Sequence, residues 1–482
     1  MASTVREVSK RDGIVIKVFG GTLASIRLLC KTRMNIFKGA KQDLSAAAKA
    51  VKNGNLNRVR AEDLSIHDWY RFVLSFPPHL VSDYLSKFGI TKRHRVLDPF
   101  CGTGTTLVEC KKLGIQSVGV EGNPMAHFAS RVKVDWSPSP RELSAHAKRV
   151  AADVTTSLEA DGLFESLELF GKPSNGRVFL TLEESKLKLL LTNSISPVPL
   201  HRALVLIERL NRSQNSKFFD HERLALAKAL VSSISNLHFG PEVGVGKPRS
   251  DAPVVSSWLH NIDSIANDLR AHPENFVESE VHHADSRQLL SLLAPKSIDA
   301  VITSPPYPNE KDYTRTTRLE SVLLGFVNSK QELRELKKGL VRSNTRSVYK
   351  QDEDDLLVAD NKEIQRIANE IEQRRIDLGK TSGFERLYAR VTKLYFGGMK
   401  RHLMDLRAVL RPGAQLAYVV GDQASYLRVM IRTGELLAGI AETLGYEVTG
   451  IDLFRTRLAT ATREQLREEV VLLRWPGLKA KS

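Results

Sequence analysis

Cysteine is scarce in this chain. Cys30, Cys101 and Cys110 are the only three among 482 residues, and no Cys-x-x-Cys pair occurs, so neither a disulfide framework nor a thiolate zinc site is indicated. A reducing cytosol fits that usage. Long apolar runs are missing too: residues 14 to 30 are interrupted by Lys17 and Arg27, and nothing approaches the roughly 20 consecutive apolar residues of a membrane span. A cleaved organellar leader is also disfavoured, because Glu7 and Asp12 fall where such leaders are acid-poor. Internal repeats and low-complexity tracts are absent.

Acidic residues are in deficit, with 55 Asp and Glu against 71 Lys and Arg, a formal charge of +16. That balance favours a polyanionic partner, because each cation placed on a phosphate releases condensed counterions. Much of the excess lies in residues 1 to 60, which carry 13 Lys and Arg against 3 Asp and Glu. The stretch reads as a basic arm over residues 1–67, either embracing a duplex or simply solvated. At 42% hydrophobic content the chain has the material for a large core and for more than one domain.

Strand and helix signals alternate in the manner of a parallel sheet with crossover helices. Residues 68 to 89 look helical, with a break at Phe76-Pro77-Pro78 where a second helix begins. Arg95 to Asp98 reads as the first strand, Thr105 to Leu113 as a helix, and Ser117 to Val120 as the second strand, ending at Glu121. Residues 138 to 275 have a helical period, with a looser Gly/Pro stretch from 240 to 253. Strands resume at Val281 to Asp285 and Ile298 to Thr303, pause over a charged helical stretch from 315 to 390, and continue at Gln415 to Gly421, Tyr446 to Phe454 and Glu469 to Trp475. The expectation is an α/β, doubly wound, mostly parallel seven-stranded sheet with two helical insertions. Its boundaries fall at 68–137 and 276–314 for the two halves of the core, 138–275 and 315–390 for the insertions, and 391–482 for the last strands.

Two motifs stand at strand ends. Asp98-Pro99-Phe100-Cys101-Gly102-Thr103-Gly104-Thr105-Thr106 is a glycine-rich turn between a strand and a helix, where missing Cβ atoms let a ligand approach the backbone. Glu121, roughly 20 residues on, ends the next strand, a place from which a carboxylate accepts hydrogen bonds from ribose hydroxyls. The second motif is Ser304-Pro305-Pro306-Tyr307, a rigid step carrying one ring. Read alone, it also fits a surface polyproline turn that binds a partner, the less favoured of the two readings. The pair resembles the S-adenosylmethionine-dependent DNA amino-methyltransferases, which methylate an exocyclic amine of a base.

That resemblance implies S-adenosyl-L-methionine as cofactor and DNA, duplex rather than single-stranded, as partner, with a cognate restriction enzyme possible and no metal or membrane. The expected setting is cytoplasmic and nucleoid-associated. By the same resemblance Asp98 fixes the methionine end of the cofactor, Phe100 packs near its sulfonium, and Gly102, Gly104 and Thr105 form its loop. Glu121 then takes the ribose and Asp285 the adenine amine. The helix opening at Phe76, Pro77, Pro78 and His79 meets the methionine end. Asp285 has a plainer reading as a helix cap with Gln288, and Pro78 as an ordinary helix start.

A base inside a duplex hides its amine, so it must be flipped out and its stacking replaced by an aromatic face, the role expected of Tyr307. By the same resemblance Ser304 and the Pro305 carbonyl, held by Pro306, accept hydrogen bonds from the amine and aim its lone pair. Methylation at cytosine C5 is disfavoured because no Pro-Cys dipeptide supplies a thiolate. Serine in the first loop position favours cytosine N4, with adenine N6 as the alternative. An RNA enzyme acting on guanine N2 and a silent nucleic-acid-binding relative are further alternatives. Arg315 and Arg318 beyond the loop, then Lys337, Lys338, Arg342 and Arg346, are the expected nucleic-acid contacts, or else a solvated helix face.

Overall fold

The apolar stretches assemble into a sheet of seven strands. These are β1 (Arg95–Asp98), β2 (Gln116–Glu121), β5 (Ser279–His283), β6 (Ile298–Thr303), β7 (Leu410–Gly421), β8 (Glu447–Leu458) and β9 (Gln465–Arg474), while β3 (Leu237–Phe239) and β4 (Val243–Val245) form a separate antiparallel hairpin. The order across the sheet is β5-β2-β1-β6-β7-β9-β8. Pairing is parallel except at β9, which runs antiparallel to both β7 and β8. From β1 the chain moves outward to β2 and β5, then returns to the other side of β1 at β6. That reversal is a topological switch point, beyond whose carboxyl ends open α/β sheets hold ligands.

This computed structural model describes residues 60, 63–71, 75–163, 179–239, 242–272, 277–458 and 465–477. Cys30 and all of the basic arm up to residue 59 lie outside that set. The described residues belong to one compact unit spanning residues 56–482.

Proline and capping side chains set the starts of the helices. α1 (Pro78–Lys87), α3 (Pro124–Lys133), α4 (Pro140–Ala160) and α5 (Pro197–Arg212) each open on proline, whose missing N–H is no loss in a first turn. Asn123 and Ser139 also cap α3 and α4 through their side chains. Between β1 and β2 runs α2 (Thr105–Lys112). With α6 (Phe219–Ala229) and α7 (Val254–Ala271), α4 and α5 make the first insertion, whose Leu143, Val154, Leu206, Leu224, Trp258 and Ile262 share one core with Leu107 and Val108 of α2 and Met125 and Phe128 of α3. The second insertion holds α8 (Lys330–Lys338) and α9 (Lys362–Asp377). It is followed by α10 (Tyr388–Val409) before β7 and α11 (Thr433–Thr443) after it.

Three expectations need correction. Residues 68 to 77 are not helical: a 3-10 turn at His67–Trp69 gives way to extended chain before α1. The reason is tertiary, since Asp268 on α7 accepts from the Ser65 hydroxyl (3.0 Å), the Ile66 amide (2.7 Å) and the Trp69 indole (2.8 Å). Ile66, Trp69 and Tyr70 are therefore core residues, and the arm ends before residue 67. The Gly/Pro stretch from 240 to 253 contributes a strand to the β3–β4 hairpin. β5 stops at His283, so Asp285 lies beyond the strand.

Candidate active site and its relatives

β1 and β6 lie side by side in register, Leu97 against Val301. This brings the two strand-end motifs together although Asp98 and Thr303 are 205 positions apart. The Thr303 hydroxyl donates to Asp98 Oδ1 at 2.6 Å, and the Phe100 amide donates to the same oxygen at 3.2 Å. Asp98 is fully buried and its second oxygen has no hydrogen-bond partner. Burial raises its carboxyl to about 6 against the pull of these donors. It lies outside the cavity lining and holds both motif loops from beneath.

Above it opens a cavity of about 610 Å3, within the range of small-molecule sites. Phe76, Phe100, Gly102, Thr105 and Glu121 line one side, and Ser304, Pro305, Pro306 and Tyr307 the other. The two loop glycines do different work. Gly102 has φ +52° with open space where a Cβ would project, which suits close approach of a ligand. Gly104, at φ +84°, would put a Cβ 2.6 Å from Ser130 Oγ on α3; it serves helix packing and does not line the cavity. Phe100 is braced edge-on against His402 at 4.9 Å, and His402 itself bridges the Ser286 carbonyl and the Tyr418 hydroxyl.

Glu121 reaches the loop as well. Its oxygens accept from the Gly102 amide at 2.9 Å and the Asn123 amide at 2.7 Å. Burial nevertheless raises its carboxyl to about 7. A carboxylate has about four lone-pair directions, so acceptor capacity remains for hydroxyls in the cavity.

On the opposite wall Ser304 Oγ donates to the Val419 carbonyl of β7 at 3.1 Å. Its one hydrogen is committed there, leaving lone pairs free to accept. The Tyr307 amide donates to Tyr313 Oη at 3.2 Å. Its ring abuts Gly421, where an added Cβ would sit 3.1 Å from the ring and 3.3 Å from Glu468. Burial raises the phenol far above its ordinary value, so Tyr307 is a neutral ring. Nothing local in the sequence marks Val419, Gly421, Arg455 or Glu468 as neighbours of the loop, because β7, β8 and β9 deliver them from far along the chain. Asn309 and Gln423, hydrogen-bonded to each other at 3.4 Å, also line the cavity and were likewise unsignalled.

Other expected residues are placed elsewhere. Asp285 is outside the lining, its carboxylate gripped by the Arg287 guanidinium at 2.6 to 3.1 Å while it also caps the Arg287 amide. Pro78 is buried and outside the lining too; Ser75 and Phe76 reach the cavity in its place. Arg315 faces Glu242 of the first insertion at 3.6 Å, Arg318 donates to Thr314, and Lys338 pairs with Glu335. Lys337 reaches the cavity but is paired with Asp312 at 2.7 Å. Arg346 is exposed, 5.8 Å from the Phe384 ring. Arg342 departs furthest from a nucleic-acid track. It is buried and bound to Asp352 and to the Lys337 and Lys338 carbonyls, a staple for its own loop.

Among the described residues no group of three or more His, Cys, Asp and Glu is placed to hold a metal ion, and no helix is long and apolar enough to cross a membrane. A family model described as DNA methylase, N6/N4 type, matches residues 35–129, which contain the loop from Asp98 and Glu121. The type II methyltransferase M.BsoBI of Geobacillus stearothermophilus is 28% identical over 85% of this chain and 84% of its own length. M.AvaI of Nostoc, also a type II methyltransferase, is 23% identical over 85% and 86%. M.MjaII of Methanocaldococcus jannaschii is 35% identical over only 14% of this chain and 13% of its own. The solved structure of TrmN from Thermus thermophilus aligns with a TM-score of 0.29 at 10% identity, covering 86% of this chain and 53% of that one, too weak a superposition to bear on the fold. In sequence the chain is thus similar to type II methyltransferases along most of its length and, over residues 35–129, to the DNA methylases of the N6/N4 family model.

Proposed function

We propose that the chain is a DNA methyltransferase that moves a methyl group from S-adenosylmethionine to the exocyclic amine of a flipped base, with cytosine N4 the favoured target. The observation that carries this is the adjacency of the two loops across the β1–β6 pair, both opening into one cavity. The cofactor fits the residues present: open space over Gly102, a half-buried carboxylate at Glu121 with acceptor capacity left, and the faces of Phe76 and Phe100. When bound, it supplies an activated methyl on a sulfonium.

Every other part of the chemistry belongs to side chains of this protein. Tyr307 supplies the face that replaces lost stacking. Ser304, its hydrogen given to Val419, accepts from the amine, and the Pro305 carbonyl, fixed by the Pro-Pro step, is the second acceptor. Acceptors set in place beforehand pull the amine nitrogen towards tetrahedral geometry with little reorganisation. Direct displacement in a preset geometry needs no covalent enzyme intermediate. A hydroxyl rather than a carboxylate at position 304 favours cytosine. The type II relatives extend the proposal to a cognate restriction endonuclease.

The test is incubation with methyl-labelled S-adenosylmethionine and, separately, unmethylated genomic DNA and total RNA, followed by nucleoside mass spectrometry. N4-methylcytosine in DNA is expected. N6-methyladenine keeps the mechanism and changes the base, whereas label confined to RNA overturns the substrate class.

A further inference from the structure

Most cations expected to meet nucleic acid are occupied within the protein, and among the described residues another corner of the cavity gathers more cations than carboxylates. Lys311, just past Tyr307, lines the cavity and is half-buried. Its ammonium makes no ion pair or side-chain hydrogen bond among the described residues. Arg457, at the exposed end of β8, lines the same cavity and stands 3.5 Å from Glu468. Glu468 is already held by Arg455 through bonds of 2.6 and 2.8 Å. One carboxylate thus serves two guanidiniums, with a third cation beside them. Burial and then the Arg457 charge depress the Lys311 pKa, while Glu468 and Glu242 pull it the other way.

This corner adjoins the base-holding ring, since Tyr307 and Glu468 meet over Gly421. A half-buried ammonium with no direct ion pair among the described residues is costly to keep, and an anion arriving from outside offsets that cost. Extruding a base swings its sugar and the adjoining phosphates towards the rim of the pocket that receives it. A guanidinium takes two phosphate oxygens at once, whereas an ammonium acts as a point charge.

We propose that Lys311 and Arg457 grip the phosphates flanking the nucleotide whose base enters the cavity, with Arg455, pinned to Glu468, as a positioning residue. This rests on the base-flipping reaction proposed above and assigns that reaction its backbone contacts.

The test uses the full chain and its Lys311→Gln and Arg457→Gln variants, with unmethylated genomic DNA as probe. The dependence of kcat/KM for DNA on salt is measured alongside S-adenosylmethionine affinity by calorimetry, which also reports folding. Each variant is expected to raise KM for DNA and to lower the log-log salt slope by about 1, with cofactor affinity unchanged. Lys311→Arg restores the slope, and Lys330→Gln, an exposed charge on α8, leaves it alone. Normal labelling with unaltered slopes in both variants, or an equal change in Lys330→Gln, overturns the clamp and leaves the reaction standing. No label in DNA with the unmodified protein at any salt overturns both together.

Discussion

Glu121 shows how far one half-buried side chain sets the working conditions. Burial lifts its carboxyl from 4.5 to about 7, so the unliganded group is largely protonated below that pH. Ribose hydroxyls donate to the ionised form, and cofactor affinity is therefore expected to climb as pH rises through about 7 and then level off. Calorimetry across this range checks it, and Glu121→Gln should bind weakly with a flat profile. The linked stability has the opposite sign. A carboxyl raised on folding contributes stability that is full below 4.5 and lost as pH rises to about 7. Denaturant unfolding of wild type and Glu121→Gln should diverge over that window. Tyr307→Ala is expected to lower turnover about ten- to hundredfold, matching the roughly 1–3 kcal/mol of base–aromatic stacking, while sparing cofactor affinity; unchanged turnover would sink the stacking role. Residues whose place on a strand-end loop follows from neighbours in sequence, such as Gly102 and Tyr307, were legible beforehand. Glu468 and Arg457 were not, because what gives them meaning is the register of β8 and β9.

Elements were legible where a hydrophobic period was long and uninterrupted. β6 appears over the residues its apolar run indicated, and so do most strands of the sheet. The failures are short elements held by distant partners: the turn at His67–Trp69 depends on Asp268, and the β3–β4 hairpin crosses a stretch whose Gly and Pro content reads as loop. Contacts between elements were also hidden. A Cβ on Gly397 of α10 would run into the backbone carbonyl of Asp354 in the turn packed against it. Gly397→Ala is therefore expected to lower the melting temperature, since overpacking costs about 1–3 kcal/mol even when side chains can yield and a backbone yields less. Gly104→Val should abolish cofactor binding, though through α3 rather than by filling the pocket. Its Cβ meets Ser130, and calorimetry showing retained affinity would refute that coupling.

For the whole molecule, the charge of +16 is far larger than the two cations at the cavity can account for. DNA affinity is accordingly expected to fall with salt more steeply than the log-log slope of about 2 that two phosphate contacts give; titration of a duplex over a range of potassium chloride concentrations measures it. The charge was plain in the sequence, but which cations are consumed internally was not, as Arg342 and Lys337 show. The pairing of β1 with β6 has a temporal consequence. The partner strand of β1 is made 205 positions later, which at about 5–20 residues per second is roughly 10–40 s of translation. Throughout that interval the nascent chain carries an open, apolar strand edge, so ribosomes stalled before residue 298 should display a chaperone-binding, protease-sensitive intermediate that vanishes once β6 has emerged.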